Sequence, residues 1–445
     1  MVSSTRDSFH SRIGFVLAAA GSAIGLGNVW GFPTQAANNG GGAFVFVYLI
    51  VTLLLAFPAL FTEIYLGNQA QKNPVGALED ACQSVSRKLG RFAGLFGLLG
   101  AVLMLSFYSI VAGWMLSHAL SPLMALLNFD SVSQWLANSS TARNIAFTPI
   151  FIILSALIIN RGVHRGIERW SSRLMPILFV LLLGLIAYIL QQPGALDGVA
   201  MYLTPDFSQV TDPKLVVSAM GQAFFSLSIG VGGMMVYGSY MKKDANIGRL
   251  VLSIGLLDTL IAFLAGLLII PTLFVAQHLG QQVFIDGQLV GGPQLIFSTL
   301  PTLFASMGEI GLYVSLVFFL LMSMAALTST ISSTEVPVSY LVEDKKYSRL
   351  KATSLVSFIV LVASMTLVFN FEQLFGAVIN WVNSFQLPIM GLFYFIVVGW
   401  IYKRGNKLAD HAQLKGNMWL KLWANYLRFV CPILLSLVFI NVISG

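Results

Sequence analysis

Oxygen-bearing side chains inside apolar segments are the residues of this sequence that could do chemistry. Asp258 lies in "GLLDTLIAF", and a charged residue in the body of a membrane helix costs about 2.5 to 3.5 kcal/mol on insertion scales, which makes it a functional candidate. Asn28 follows the glycines of "GSAIGLGNVWGFP", and Ser226 begins "SLSIGVGG". With the hydroxyls of Thr328 and Ser329, these oxygen ligands suit a hard cation such as Na⁺ better than a transition metal.

A second group of hydroxyls lies in "AALTSTISSTE", where residues three and four apart share one helical face. Its small or hydroxyl-bearing members are Ala325, Thr328, Ser329, Ser332 and Ser333. Hydroxyls in apolar helices often bond only to the preceding turn, so this run alone is equally compatible with a structural role. Tyr108, in "LMLSFYSIVAGW", adds a phenol that needs a partner when buried. The density of polar groups favours a lined site.

The composition decides where these groups must lie. The 445 residues are 57% hydrophobic and 10% charged, with a mean hydropathy of +0.81, whereas soluble domains carry about 25% charged residues. The chain is therefore an integral membrane protein. Cys82 and Cys431 lie far apart in the sequence and predict neither a disulfide framework nor a zinc site. No phosphate-binding loop is found, so ATP is not the expected energy source and no enzyme activity is expected.

Apolar runs of about 20 residues, the length that crosses a bilayer, predict about eleven spans in an all-α membrane fold. The runs are 12–37, 41–70, 91–122, 145–160, 169–190, 215–240, 246–275, 307–341, 350–370, 374–402 and 418–443. With the N-terminus inside, the outer segments keep only Arg143 and Lys214 as basic residues. This bias predicts a multi-pass protein of the inner (plasma) membrane, with a cytoplasmic N-terminus and an extracytoplasmic C-terminus. The excess of basic residues thus indicates topology and not nucleic-acid binding.

The amino-terminal segment also resembles a secretory signal. Arg6 and Arg12 precede "IGFVLAAAGSA", which has the apolar centre and small residues of a cleaved leader. The apolar run continues beyond Pro33, so we expect a retained membrane span.

The glycine-rich breaks in spans 1 and 6 correspond to each other. Ile24-Gly25-Leu26-Gly27 aligns with Ile229-Gly230-Val231-Gly232, and the two spans would cross in opposite directions. Gly21 and Gly25 also fit the G-x-x-x-G packing motif, so one break alone would indicate close packing. Two corresponding breaks in inverted halves indicate a transporter site at the midplane. We expect one domain over 1–445, with repeats at 12–190 and 215–402 and an extra span at 418–443.

At this level of detail the chain resembles the neurotransmitter:sodium symporters, especially bacterial eleven-span amino-acid transporters with the leucine-transporter fold. The motifs that carry the resemblance are "SRIGFVLAAAGSAIGLGNVWGFP", "NNGGGAFVFVYLI", "GQAFFSLSIGVGG", "YGSYMKKDANI" and "AALTSTISSTEVPVSYLVEDK". They cover nearly all of the chain in the family's order. The resemblance implies a 5+5 inverted repeat with broken helices 1 and 6, followed by one further helix.

The resemblance also implies residue roles. One sodium site would use Ala23, Asn28, Ser226 and Asp258, and a second would use Gly21, Ile24, Ala325, Thr328 and Ser329. The substrate site would comprise Ala23, Leu26, Gly27, Met104, Tyr108, Phe225, Ser226, Ser228, Val231, Ser329, Ser332 and Ser333. Gating positions would be Arg6, Phe9, Tyr240, Glu343 and Asp344 at the inner end, Trp30, Gly31 and Ile379 at the outer end, and Glu63 beside span 6. Glu63 is equally well explained as a structural pair.

Three positions depart from the family's common pattern. Gly31 and Ile379 stand where many members carry an arginine and an aspartate that pair across the outer vestibule. We therefore expect the outer gate to close through Trp30, Phe225 and packing, without a salt bridge. Asp258 stands where many members carry asparagine, and its carboxylate predicts transport without chloride.

The leading hypothesis is sodium-coupled import of a neutral, bulky or aromatic amino acid by alternating access, with two bound sodium ions as the family resemblance implies. A substrate with a polar side chain is the next choice. The small side chain of Val231 and the hydroxyl of Ser333 predict a roomy pocket. Alternatives are an amine or another zwitterion as substrate, or, in a different class, a sensing receptor or a channel. The expected partners are the substrate and membrane lipid, with no nucleic acid and no obligate protein partner. The exact substrate, sodium stoichiometry, proton antiport and oligomeric state do not follow from the sequence.

Overall fold

A computed structural model describes residues 12–243, 245–285, 288–289, 295–402 and 418–444. Eight continuous helices in this part of the chain are long and apolar enough to cross a membrane. We number them by their place among the eleven predicted spans. They are Gly42–Ala70 (span 2), Arg87–Leu126 (span 3), Thr141–Ile159 (span 4), Val163–Ile189 (span 5), Ile247–His278 (span 7), Glu309–Glu343 (span 8), Arg349–Phe369 (span 9) and Phe371–Ile401 (span 10).

The other three spans are divided into shorter pieces. Span 1 consists of Arg12–Ala23 and of a second segment with a π-helical turn, Gly27–Gly31, and an α-helix, Phe32–Asn38. Span 6 consists of Pro213–Ser226 and Gly233–Ser239. Span 11 consists of Met418–Asn425, Tyr426–Val430 and Cys431–Ser444. The all-α membrane fold with about eleven spans and breaks in spans 1 and 6 is thus confirmed.

Short elements connect the spans. The connecting helices are Pro74–Ala81, Asp130–Ala137, Ala195–Leu203 and a piece formed by Leu295–Thr299 and Leu300–Ser306. Two short strands, Phe284–Ile285 and Gln288–Leu289, pair antiparallel. The helical piece formed by Leu295–Thr299 and Leu300–Ser306 lies in a part of the sequence where proline and polar residues interrupt the apolar pattern.

Several helices begin where a polar side chain accepts a backbone N–H of the first turn, which satisfies a donor that the helix itself cannot pair. Ser86 caps span 3, Ser140 caps span 4, and Asn246 caps span 7 in this way. Ser348 does the same for span 9. These caps fix the amino ends of four spans, among them span 3, which carries Tyr108, and span 7, which carries Asp258.

Two close helix pairs form the centre of the bundle. Spans 3 and 8 make the most extensive contact between helices in the described part of the chain, and the inner piece of span 6 packs on span 2. In the second pair, a side chain at Gly67 would run into the carbonyl group of Met235. Glycine therefore permits the two backbones to touch, which is the usual reason for small residues at membrane helix contacts.

The outside of the bundle is apolar. Leu53, Phe92, Val180, Phe358 and Phe369 each expose at least 60% of their surface. A soluble protein would seldom present so many large apolar side chains, whereas lipid tails solvate them. The surface thus agrees with the membrane class that the composition predicts, whereas Asn28, Asp258 and Thr328 lie inside the bundle.

Candidate functional site

The break in span 1 is held open by its own backbone and side chains. The first helix ends at Ala23, and the next begins at Gly27 with a change in axis of 48°. The backbone N–H of Gly25 donates to Asn28 Oδ1 at 2.9 Å. A Cβ at Gly25 would collide with the Ser329 hydroxyl and the Tyr108 phenol. Glycine at this position therefore allows spans 3 and 8 to reach the broken backbone.

The break in span 6 uses left-handed backbone. Ser228, Gly230 and Gly232 have φ of 53°, 93° and 91°, a region that glycine enters at little cost and serine seldom occupies. The carboxylate of Glu63 accepts the N–H of Gly230 at 3.0 Å. Gln386 Nε2, from span 10, donates to the Gly230 carbonyl at 3.2 Å. Spans 2 and 10 thereby pair the backbone N–H and the backbone carbonyl of Gly230, which the interrupted helix leaves unsatisfied.

A first oxygen cluster lies where both breaks approach span 7. Asn28 Nδ2 donates to Asp258 Oδ1 at 2.6 Å and to the Asp258 carbonyl at 3.0 Å. Ser226 Oγ donates to the same carboxylate at 3.0 and 3.2 Å. All three residues are at most 1% exposed. A buried carboxylate with amide and hydroxyl oxygens and, among the described residues, no basic side chain bonded to it is a suitable donor set for Na⁺.

A second oxygen cluster joins span 1 to span 8. Ser329 Oγ lies 3.2 Å from the carbonyl oxygens of both Ser22 and Ile24. Thr328 Oγ1 lies 3.0 Å from the Ala325 carbonyl and 3.5 Å from that of Ile24. Four of the oxygens predicted for the second sodium site thus converge. A Cβ at Gly21 would lie 3.5 Å from Thr328 Cβ, so the fifth predicted residue is adjacent.

Two of the predicted substrate residues, Tyr108 and Phe225, contact the broken backbone of span 1. The Leu26 N–H donates to Tyr108 OH at 3.0 Å, and a Cβ at Gly27 would lie 3.2 Å from the Phe225 ring. Phe225 is half-buried, and these predicted members are buried: Ala23, Met104, Ser228, Val231, Ser332 and Ser333. Ser332 Oγ donates to the Ser329 carbonyl at 2.8 Å, so this hydroxyl is already used within its helix.

The end of the bundle that is predicted to face outward contains a contact that the sequence analysis missed. Gln222 Nε2 donates to the Gly27 carbonyl at 2.6 Å, and a Cβ at Gly31 would lie 3.0 Å from Gln222 Oε1. Trp30 meets Phe297 with ring centroids 6.4 Å apart, and Ile379 packs partly buried at the edge of the core. The sequence feature that could have identified this contact is the one amide side chain in the mainly apolar segment "VVSAMGQAFFS".

At the end predicted to face the cytoplasm, the structure contains an ion pair that the sequence analysis also missed. Arg349 donates from Nη1 and Nη2 to the two carboxylate oxygens of Glu335, at 3.2 and 2.6 Å. Tyr240 OH, a predicted gate residue, donates to Glu335 Oε1 at 2.7 Å. Glu335 is the last residue of "AALTSTISSTE". An acidic side chain within a membrane span was the signal that could have identified it.

The predicted acidic pair at the inner end lies beside the helix that follows span 2. Glu343 Oε2 accepts from the backbone N–H of Asn73 at 2.7 Å, and Asp344 Oδ1 accepts from Asn73 Nδ2 at 2.7 Å. Arg6 and Phe9, the other residues predicted at this gate, lie outside the described residues.

A bundle of apolar helices with two interrupted spans that meet at buried oxygen clusters is the architecture of a membrane transporter. The family model described as the sodium:neurotransmitter symporter family matches residues 6–148 and 143–445, so the chain belongs to that family. It is 34% identical to an uncharacterized sodium-dependent transporter of Bacillus subtilis, over 98% of this chain and 97% of that protein. A Haemophilus influenzae protein with the same description is 30% identical, over 98% of each chain.

Among solved structures, the chain is similar to MhsT, crystallised in complex with L-phenylalanine. The two share 34% sequence identity and a TM-score of 0.84, and the match covers 98% of this chain and 100% of that one. Family membership confirms the resemblance identified from the motifs. The protein is a sodium-dependent symporter with the leucine-transporter fold.

Proposed function

We propose that this symporter imports a neutral, bulky or aromatic amino acid together with two sodium ions and without chloride. The cluster of Asn28, Ser226 and Asp258 carries the proposal, because it puts a carboxylate beside both broken spans. A cation bound there would lie next to the backbone at Leu26 and Gly27, so its charge would also attract a substrate carboxylate.

The roles proposed for the oxygen atoms are those that the family resemblance implies, and oxygen ligands of this kind suit Na⁺. In the first site, Asn28, Ser226, Asp258 and the Ala23 carbonyl would hold one Na⁺; in the second, the Thr328 and Ser329 hydroxyls would hold another with the carbonyls of Gly21, Ile24 and Ala325. Tyr108 OH already lies at hydrogen-bonding distance from the Leu26 N–H, so the phenol could turn its proton toward a substrate carboxylate. The aromatic preference is supported by the L-phenylalanine complex of MhsT.

Alternating access would follow from ordering the breaks. Ions and substrate add contacts between span 1, span 6 and the helices around them, and they stabilise the closed arrangement by their differential affinity for it. We also propose the inverted repeats at 12–190 and 215–402, a cytoplasmic N-terminus and an extracytoplasmic C-terminus.

The deciding experiment is a binding screen of the purified protein against all amino acids and common amines, with Na⁺ or with K⁺ at equal ionic strength. We expect neutral aromatic or large aliphatic amino acids to bind only with Na⁺. If an amine without a carboxylate bound best, the amino-acid assignment would be replaced by amine transport. Binding that did not depend on Na⁺ for any compound would reject coupled symport through these clusters. Uptake into proteoliposomes, driven by an imposed sodium gradient, then separates a symporter from a receptor or a channel.

A further inference from the structure

A cavity lies apart from the proposed ion and substrate clusters. Its volume is about 500 Å³, within the range of small-molecule sites. It is formed where the segment before span 4, the helix Leu295–Ser306, and the junction of spans 9 and 10 meet the side of span 3. None of the residues that line it belongs to the sodium or substrate sets named above.

One wall of the cavity is aromatic. The Trp114 ring lies 5.2 Å from that of Phe297, 5.8 Å from Phe371 and 5.6 Å from Phe375, measured between centroids. Trp114 Nε1 donates to Asn144 Oδ1 at 2.7 Å, which fixes the indole. Tilted and edge-on ring packing of this kind leaves apolar faces against which a planar apolar group can stack.

A buried basic residue also lines the cavity. Arg143 is 2% exposed and lines the cavity. Its Nη1 makes only long hydrogen bonds, of 3.4 and 3.3 Å, to the carbonyls of Leu136 and Ala137. Its Nε is buried and has no hydrogen-bond partner in the described structure. No described carboxylate lies within ion-pair distance of the guanidinium.

The local backbone adds to this positive charge. Arg143 lies in the first turn of span 4, with its N–H bonded to the Ser140 capping hydroxyl, and the amino end of a helix carries partial positive charge. Burying a guanidinium without a counter-charge is unfavourable. Glu372, the one acidic side chain on the cavity wall, is exposed to solvent. The cavity therefore contains a desolvated guanidinium that could bind an anion. It also has an aromatic wall against which an apolar group could pack.

We propose that this cavity binds a small aromatic carboxylate, with the carboxylate at Arg143 and the ring against Trp114, Phe371 and Phe375. A planar guanidinium can hold a carboxylate through two parallel hydrogen bonds. The aromatic wall selects an organic acid over an inorganic anion, because chloride would leave the apolar surface uncovered. The proposal does not depend on which substrate the central site carries.

The test is calorimetric titration of the purified full-length protein with 3-phenylpropionate in sodium-free buffer. We expect binding that is at least tenfold tighter than that of the neutral 3-phenylpropanamide or the cationic 2-phenylethylamine. Equal binding of the amide, or binding of chloride with no further binding of the organic acid, would overturn the proposal.

Variants separate this cavity from the central site. Arg143→Gln should weaken 3-phenylpropionate binding at least tenfold, and Arg143→Lys should retain more of it. Arg428→Gln is the matched control: this arginine also has a buried Nε without a hydrogen-bond partner in the described structure, but it stacks on Trp400, outside the cavity. Unchanged affinity in Arg143→Gln, or an equal loss in Arg428→Gln, would contradict the assignment.

Two further variants cover the remaining interpretations. Tyr108→Phe alters the proposed central site and should leave 3-phenylpropionate binding unchanged; a large loss would mean that the acid occupies the central site. If Arg143→Gln does not fold, Ser298→Phe fills the cavity from a wall residue that is exposed to solvent. It should abolish the titration signal while sodium-dependent substrate binding persists, and retained 3-phenylpropionate affinity would overturn the proposal.

Discussion

Asn28 and Asp258 are joined by the shortest side-chain hydrogen bond of the proposed sodium clusters, 2.6 Å from Nδ2 to Oδ1. This bond connects the broken backbone of span 1 to the body of span 7, while Asn28 Oδ1 accepts the N–H of Gly25. In this arrangement the asparagine is a donor to the carboxylate. To coordinate a cation that is held by this carboxylate, the Asn28 side chain would have to turn so that its Oδ1 faces the ion. Ion binding at this cluster would thus exchange hydrogen bonds for ion contacts and change the contacts of the break itself.

The first prediction concerns the charge of Asp258. Wild-type uptake should be the same in chloride and gluconate media, because the carboxylate supplies the negative charge beside the first ion. Asp258→Asn removes that charge but keeps the size of the side chain, so sodium affinity should fall at least about tenfold, which is 1.4 kcal/mol. The measurement is sodium-dependent uptake by proteoliposomes in both media.

Chloride should partly restore uptake in the Asp258→Asn variant and have no effect on the wild type. Ser253→Ala, at a half-buried position of the same span whose hydroxyl donates to the Arg249 carbonyl, serves as the control and should behave as the wild type. A wild-type protein that lost most of its uptake in gluconate would contradict the role given to Asp258.

The second prediction tests the cluster on span 8. Thr328→Ala removes the hydroxyl that lies 3.0 Å from the Ala325 carbonyl. The variant would lose the proposed contact between this oxygen and Na⁺, and by analogy with a hydrogen bond to a charged group the loss should cost about 1.5 to 3 kcal/mol. The sodium concentration for half-maximal binding should therefore rise at least about tenfold. Thr328→Ser keeps the oxygen and should stay within about threefold of wild type. Equal effects of the two substitutions would show that packing, and not the oxygen, matters.

The third prediction concerns the outer end. Gln222→Leu keeps the approximate volume but removes the hydrogen bond to the Gly27 carbonyl, which is 2.6 Å long. A net loss of about 1 kcal/mol in the closed state should speed the release of radiolabelled substrate to the outside about fivefold. Sodium-dependent binding in the variant would verify that the protein is folded. An unchanged release rate would exclude a gating role for this bond.

The neighbouring glycine gives an independent test of the same gate. Gly31→Arg would force the long side chain against Gln222, since even a Cβ at Gly31 lies 3.0 Å from Oε1. We expect transport to fall by at least about tenfold, whereas Gly31→Ala, which needs only a small shift of a flexible side chain, should retain most of it. Normal transport by Gly31→Arg would show that this position is not specialised.

The fourth prediction uses the buried pair at the inner end. Removing one member of a buried ion pair costs about 3 to 5 kcal/mol, because the other charge stays uncompensated. Glu335→Gln and Arg349→Gln should each lower the midpoint of thermal unfolding strongly, since the Glu335 side chain is fully buried and that of Arg349 is 22% exposed. The double variant should lose less than the two single losses combined. Additive losses would mean that the two residues do not act as a pair.

Much of this arrangement was predictable from the sequence. Span lengths and the two aligned glycine breaks were readable because apolar length and helix interruption are local properties. The first oxygen cluster was also predictable, since Asp258 in an apolar run requires partners. Gln222, Gln386 and Glu335 were missed as partners because their roles depend on which helices pack together. A lone glutamine in an apolar helix says that it needs a hydrogen bond, but not that its acceptor is the carbonyl of Gly27.

The contact between Gln222 and the Gly27 carbonyl is made by uncharged groups. Attraction between exposed ions weakens as salt is added, with a screening length of about 10 Å at 0.1 M, whereas a neutral hydrogen bond is almost unaffected. A transporter that closes its outer end in this way keeps the same closing strength in dilute and in brackish surroundings. External sodium then affects such a transporter only as a bound and transported ion, and not also as an electrolyte that weakens the closure of the outer gate.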